Sequence, residues 1–434
     1  MLFHESVSER MNEPGKSLLF SPAAKLAVLL AFPLLVCARL PDAVIQGRFW
    51  AEEGRVYFRA AAEQPWFDAL TTVHMGYLNL SATFGALAAY YLMPMASAPH
   101  LTMLIALLVQ CLPVIILVNS RDDWLQNGRS LVFAIVVIAF APAVLETWLT
   151  TISSQHHLTL AAALILSLET RAGVTLAVYG TVLFLAALSG PATWMLLPLF
   201  LARAVIERNR ARISFLICIA AGTAIAALFF VPSDRSVGMS PLLLGAITFQ
   251  KHVAISLLPL AQASAIGRLL TEQFASGDLP LWPMILSICA FSLLCSVAIR
   301  TRSTAAIWLI MAGATLAGGS YLGALNDKLR LLDPADGGRY AFAPQALFSI
   351  ACAQIAYRSS PRPKACMTAF LCYVVLIQVV NLPRGREFDR GPNWSAEVSR
   401  FQSGETDVLR IWPPGWEFAL CNRPVERRTS GCRP

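Results

Sequence analysis

The chain has 434 residues, of which 56% are apolar and only 14% charged, against roughly 25% charged in an ordinary soluble domain. With a mean hydropathy of +0.59, this composition excludes a water-soluble enzyme, a disordered chain and a disulfide-rich secreted scaffold, and leaves a polytopic membrane protein. The net charge of +8 is spread in short clusters between apolar runs, which reads as orientation information rather than as a nucleic-acid footprint.

Lys16 and Lys25 precede an apolar run at 26–38, as in a signal sequence. No small-x-small cleavage site follows, and Val36 stands before Cys37 where a lipoprotein box needs a small residue, so the run reads as an uncleaved first span. At about 20 residues per crossing, spans are predicted near 24–40, 99–118, 130–147, 157–169, 172–188, 192–206, 213–231, 281–299, 304–323, 341–357 and 365–381. The expected fold class is therefore an all-α polytopic membrane protein with about 11 transmembrane helices.

Two further apolar stretches, 76–95 and 241–266, read as lying at the interface, and charge decides it. If neither crosses, the N-terminal tail and loops 119–129, 170–171, 203–212, 300–303 and 358–364 share one side and together carry fifteen Lys and Arg. The short opposite loops 148–156 and 189–191 carry none. This is the positive-inside pattern, with the N-terminus cytoplasmic. Segment 41–98 is then one long outer stretch with its own juxtamembrane helices. The chain divides into a transmembrane domain, 1–381, and an external C-terminal cap, 382–434, rich in Arg, Pro, Gly and Trp.

Eight of the ten cysteines lie inside apolar runs and read as small buried hydrophobes. Cys421 and Cys432 lie in the polar tail, where a disulfide and two free thiols are equally open readings. No C-x-x-C occurs, so there is no zinc or redox framework.

The first outer segment reads Gly47-Arg48-Phe49-Trp50-Ala51-Glu52-Glu53-Gly54-Arg55-Val56-Tyr57-Phe58. Residues 50–64 are predicted to form an amphipathic helix stopped by Pro65, with Trp50, Tyr57 and Phe58 at headgroup level. Glu52 and Glu53 fall near its N-terminal end, where the helix dipole favours negative charge. They read either as a solvated or Arg-paired helix start or as a general base held at the membrane surface.

An acidic pair directly after a first span resembles the GT-C superfamily of membrane glycosyltransferases. Phe49-Trp50-Ala51-Glu52-Glu53-Gly54 followed by Gly76-Tyr77-Leu78 is similar to the W-A-E-D-G and G-Y-L pattern of bacterial GT-C-like proteins, including O-antigen glucosyltransferases. Leu188-Ser189-Gly190-Pro191, Gly338-Arg339-Tyr340 and Pro413-Pro414-Gly415-Trp416 look like further features of that group. Glu53 stands where the pattern has Asp. The resemblance implies an inverting sugar transfer from a polyprenyl-phosphate donor to a glycan, lipid or protein acceptor on the periplasmic face of a bacterial inner membrane. It also implies Glu53 or Glu52 as the catalytic base. No cofactor and no metal are demanded, and no nucleic acid is expected as a partner.

Such a donor needs cations at headgroup depth, and the planar fork of Arg suits phosphate. Arg339, with Tyr340 beside it and Asp336-Gly337-Gly338 ahead of it, is the leading candidate, followed by Lys328; the bland alternative is headgroup snorkelling. His156 and His157 follow Ser153-Ser154-Gln155 at a span end. Neighbouring residues on a helix diverge, so they make a poor metal pair and read as span-end markers or as donor ligands. No H-E-x-x-H, P-loop, G-x-G-x-x-G or G-x-S-x-G is present, so cytoplasmic nucleotide-sugar chemistry is not supported. The rival readings are a transporter or flippase, or a polymerase or ligase, of surface-polysaccharide assembly. A transporter should carry ionisable residues at mid-membrane, and the predicted span centres carry almost none.

Overall fold

The structure is a computed structural model and describes residues 22–141, 145–169, 173–232, 238–324, 326–381 and 391–420. Cys421 and Cys432 lie outside the described residues.

The bundle is organised around one helix, Ser154–Ser167, in which every residue except Gln155 is buried. Its run of Ala and Leu is apolar all round, which a helix tolerates only when neighbours cover every face. Leu112–Asn119, Val174–Leu188, Thr304–Leu322 and Gly338–Arg358 supply that cover. The outer helices reverse the usual pattern. Leu26, Leu30 and Leu34 on Pro22–Arg39, Ile285, Ile288 and Leu293 on Trp282–Arg300, and Leu376 and Val380 on Pro361–Asn381 all point outward. A sheath of exposed apolar side chains suits hydrocarbon and not water.

Among the described residues, six helices are long and apolar enough to cross a membrane, or seven if one bent pair counts as one span. Helices lie at all eleven stretches predicted as spans, but the number among the described residues long and apolar enough to cross is six or seven rather than eleven. Three depart in detail. The span placed at 130–147 is α-helical over Gly128–Ala139, twelve residues, with a 3-10 turn at Leu145–Thr147. The spans placed at 172–188 and 192–206 are the bent pair, Thr175–Leu188 and Pro191–Glu207, meeting at 118° across Ser189-Gly190.

The two ends of the central helix are built differently. At its C-terminal end the orphan carbonyls are taken by arginines. Arg212 donates to Ile165 O at 3.0 Å and to Leu168 O at 2.9 Å, and Arg203 donates to Leu166 O. Both also bond Glu207, at 2.6 and 2.8 Å. Loop 119–129 joins them, because Asp122 accepts the Glu169 N–H at 2.7 Å. Cations here complement the negative end of the helix dipole.

At the N-terminal end lie the pieces of the first outer segment. Residues Glu53–Phe58 form an i→i+5 bonded turn that continues as Arg59–Glu63 and stops before Pro65, where the sequence predicts a stop. A two-residue hairpin pairs Val73–His74 with Tyr77–Leu78 and leads into the helix Leu80–Leu92, where the sequence places a juxtamembrane helix. The C-terminal cap is at this same end. Its helix Trp394–Ser403 and its hairpin of Val408–Ile411 with Trp416–Ala419 share a core with Phe49, Trp50, Tyr57 and Phe58. The junction is a backbone pairing: Trp412 N–H donates to Phe49 O at 3.1 Å, and Ala51 N–H donates to Trp412 O at 2.5 Å.

Candidate functional site

The site forms around a segment that leaves a short 3-10 turn, Leu145–Thr147, and runs on as an almost wholly buried loop, residues 146–153. Buried backbone groups need partners, and side chains from distant segments provide them. Gln110 donates to Thr147 O at 3.1 Å and accepts the Leu149 N–H at 3.2 Å. Arg48 donates to Trp148 O at 2.7 Å, Ser81 to Thr151 O at 3.1 Å, and Asn79 to Ile152 O at 3.0 Å. Leu149 sits at φ 55°, and nearby Ala51 and Met75 at 45° and 53°. Each non-glycine residue in the left-handed region stores strain that its surroundings must hold.

Glu53 also ties that loop down. It is wholly buried. One carboxylate oxygen accepts the Thr151 N–H at 2.7 Å and the Thr151 hydroxyl at 2.5 Å, and the other accepts the Trp50 N–H at 3.1 Å. Burial pushes its carboxyl up, and the bonds from Thr151 and Trp50 and the charge of Arg48 pull it back. Glu52, one residue earlier, is only partly buried and acts electrostatically on both Tyr57 and Arg339. The two carboxylates of the acidic pair thus do different things. Glu53 holds the loop, and Glu52 is left partly open. A signal for this division was present in the sequence. Glu53 shares a helix face with Trp50 and Tyr57, three residues before and four after, and both rings are buried.

Arg339 stands in the first turn of the helix Gly338–Arg358, after Gly337 at φ 65°. Gly337 has no side chain to cap that turn, and a residue from the buried loop does so instead. Glu146 accepts the Arg339 backbone N–H at 3.1 Å, and its other oxygen lies 3.8 Å from the Arg339 guanidinium. The Arg339 side chain keeps 27% exposure and Glu146 keeps 16%, so neither is sealed off. The guanidinium also stands over the Tyr340 ring, 5.3 Å from its centre. Glu146 was missed in the sequence reading, being a lone carboxylate at the end of a predicted span.

Lys251 fixes the approach to Arg339. Its ammonium donates to the carbonyls of Asp333, Pro334 and Asp336, at 2.7, 3.1 and 2.5 Å, which engages all three donors of an ammonium. Burial pushes it down to about 8, against the pull of Asp333, Asp336 and Glu146.

The other sequence candidates separate. His156 is buried with its ring 6.2 Å from that of Tyr340, so it belongs to the Arg339 side. His157 is enclosed between Trp148 and Phe342, at 4.7 and 4.5 Å. Lys328 donates to Leu322 O at 2.9 Å and Ala324 O at 3.3 Å, which places its ammonium at the end of the helix Thr304–Leu322. Gln155 donates to the Tyr77 hydroxyl at 3.3 Å. Among the described residues no group of three or more His, Cys, Asp or Glu converges.

No family model and no curated protein matches the chain. Among solved structures, the crystal structure of ArnT from Cupriavidus metallidurans bound to undecaprenyl phosphate overlaps it with a TM-score of 0.44 at 12% identity, over 80% of this chain. The chain spans only 63% of the length of that structure.

Proposed function

We propose that the chain is an inverting glycosyltransferase of GT-C type in a bacterial inner membrane. It moves a sugar from a polyprenyl-phosphate donor to a glycan, lipid or protein acceptor at the periplasmic face, with its N-terminus cytoplasmic and its cap periplasmic. The observation that carries this reading is a partly open guanidinium, Arg339, held in the first turn of its helix beside the Glu146 carboxylate and the Tyr340 ring, at the end of an apolar bundle.

In the proposed reaction Glu52 takes the proton of the acceptor hydroxyl as that oxygen attacks the anomeric carbon. The bond from that carbon to the phosphate oxygen breaks, and its electron pair stays on the phosphate. Arg339 binds that phosphate through two N–H donors and follows the charge as it grows. A phosphate monoester leaves without protonation, so no general acid is required. Tyr340 and His156 border the same space. Glu53 is assigned to hold the loop, not to take the proton, because three donors already converge on its two oxygens.

The test is purified protein in nanodiscs given a panel of undecaprenyl-phosphate sugars, with release of undecaprenyl phosphate as the readout. Turnover of at least one donor, lost in Glu52→Gln, is expected. Absence of turnover across the panel, or full activity in Glu52→Gln, overturns the reading.

A further inference from the structure

The Glu146–Arg339 pair carries more than a structural consequence. A cation meant to bind phosphate is usually left open to it, yet here a carboxylate already stands 3.8 Å from the guanidinium. That carboxylate is not adventitious. It is fixed by the Arg339 backbone N–H, and Ser153 donates to the backbone oxygen of the same residue at 3.3 Å. The loop that bears it is held by Glu53, Gln110, Arg48, Ser81 and Asn79.

Such an arrangement does two things at once. The bond to the backbone N–H caps the first turn of the helix that bears Arg339, so the guanidinium starts from a fixed point. The negative charge beside the guanidinium repels any second anion that binds there. A phosphate diester donor carries one negative charge, whereas the phosphate monoester released from it carries close to two near neutral pH. A fixed carboxylate therefore penalises the product more than the substrate.

Resting on the function proposed above, we infer that Glu146 is a positioning residue that holds Arg339 in place and, through its charge, speeds release of the polyprenyl-phosphate product. The pair is a built-in competitor: it keeps Arg339 ordered while empty and keeps the spent carrier from staying bound. The charge of Glu52, which Arg339 also feels, adds to the same repulsion. Lys251, whose ammonium feels Glu146, moderates it.

The test exploits the sign of the effect. Glu146→Gln keeps an oxygen able to accept the Arg339 N–H but removes the charge. Undecaprenyl phosphate should then bind about tenfold more tightly, with lower KM for the donor and lower kcat, because product release becomes slow. Glu146→Ala loses the cap as well and should lower thermal stability, which Glu146→Gln should largely retain. A residue with only a structural role would give weaker binding in both variants. Binding of undecaprenyl phosphate is measured directly on purified wild type and variants in nanodiscs. Unchanged or weaker binding by Glu146→Gln overturns the inference while leaving the proposed function standing. Tighter binding by the variant, in a protein that transfers no sugar, overturns the proposed function and leaves the charge effect standing. No binding of the lipid phosphate by wild type overturns both.

Discussion

Glu53 accepts the backbone N–H of Thr151 at 2.7 Å, and that bond ties the first outer segment to the loop that carries Glu146. The acidic pair after the first span is thus split in depth. One carboxylate is spent on architecture, and its neighbour is left partly open.

The division leads to opposite outcomes for two similar substitutions. Glu53→Gln keeps the volume but introduces two N–H donors where only donors now point inward. An unsatisfied buried donor costs about 1–3 kcal/mol, so this variant should melt measurably lower and lose activity together with stability. A Glu53→Gln protein with wild-type melting would show that the carboxylate is not holding the loop.

Glu52→Gln touches no such network. It should fold and melt as wild type does, while transfer falls by the 10²–10⁴-fold typical of general-base removal, an order-of-magnitude expectation. Arg339→Lys retains the charge but not the fork, and should keep partial activity with weaker donor binding. Single-turnover transfer on the two variants separates the roles: full chemistry in Glu52→Gln would remove it as the base.

Much of this architecture was legible in the chain. Apolar runs of helical length located the helices, and the cations Arg203 and Arg212 of the basic loop 203–212 pack at one end of the central helix. The first outer segment and the C-terminal cap were both placed outside, and the structure joins them through Trp412 and Phe49. What stayed hidden was long-range. The loop at 146–153 lies within a predicted span and after it, and its partners Gln110, Asn79, Ser81 and Arg48 are ordinary polar residues with no periodicity to announce them. Glu146 meets Arg339 only because two helices end side by side. Lys328 was a reasonable phosphate ligand by residue type, but its ammonium also suits the carbonyls at a helix end, and that is where it is found.

Trp412 should be the strongest single anchor of the cap. Its ring is buried, its Nε1 donates to Pro392 O at 3.0 Å, and a Cβ built on Gly391 would fall 2.3 Å from the ring. Arg48 lies 5.7 Å from the same ring. Truncation to alanine in a packed core costs about 3–5 kcal/mol, so Trp412→Ala should release the cap and expose the 391–420 segment to protease. Activity should fall with it, because the backbone at Phe49 and Ala51 pairs with Trp412. Protease resistance equal to wild type would argue that the hairpin docks without this ring.

The cap should also respond to acid through Glu397. This side chain is 4% exposed and accepts from Arg410 at 2.5 and 3.0 Å, from the Arg410 N–H at 3.3 Å and from Arg400 at 3.4 Å. The Arg410 side-chain bonds are the main reason its carboxyl is held below the ordinary value, with burial opposing them. A carboxyl depressed on folding stabilises the folded form fully above its unfolded value, about 4.3. That contribution is lost as pH falls through the lower folded value. Tail and helix should therefore hold firmly at pH 7 and loosen below about pH 4. Hydrogen exchange over residues 394–411, corrected for intrinsic rates, should show strong protection in wild type relative to Glu397→Gln at pH 7. The difference should shrink progressively as pH falls below about 4. A protection ratio that stays constant across this range would mean that the Glu397–Arg410 pair contributes no pH-dependent stability, and the cap would then be held by its aromatic core alone.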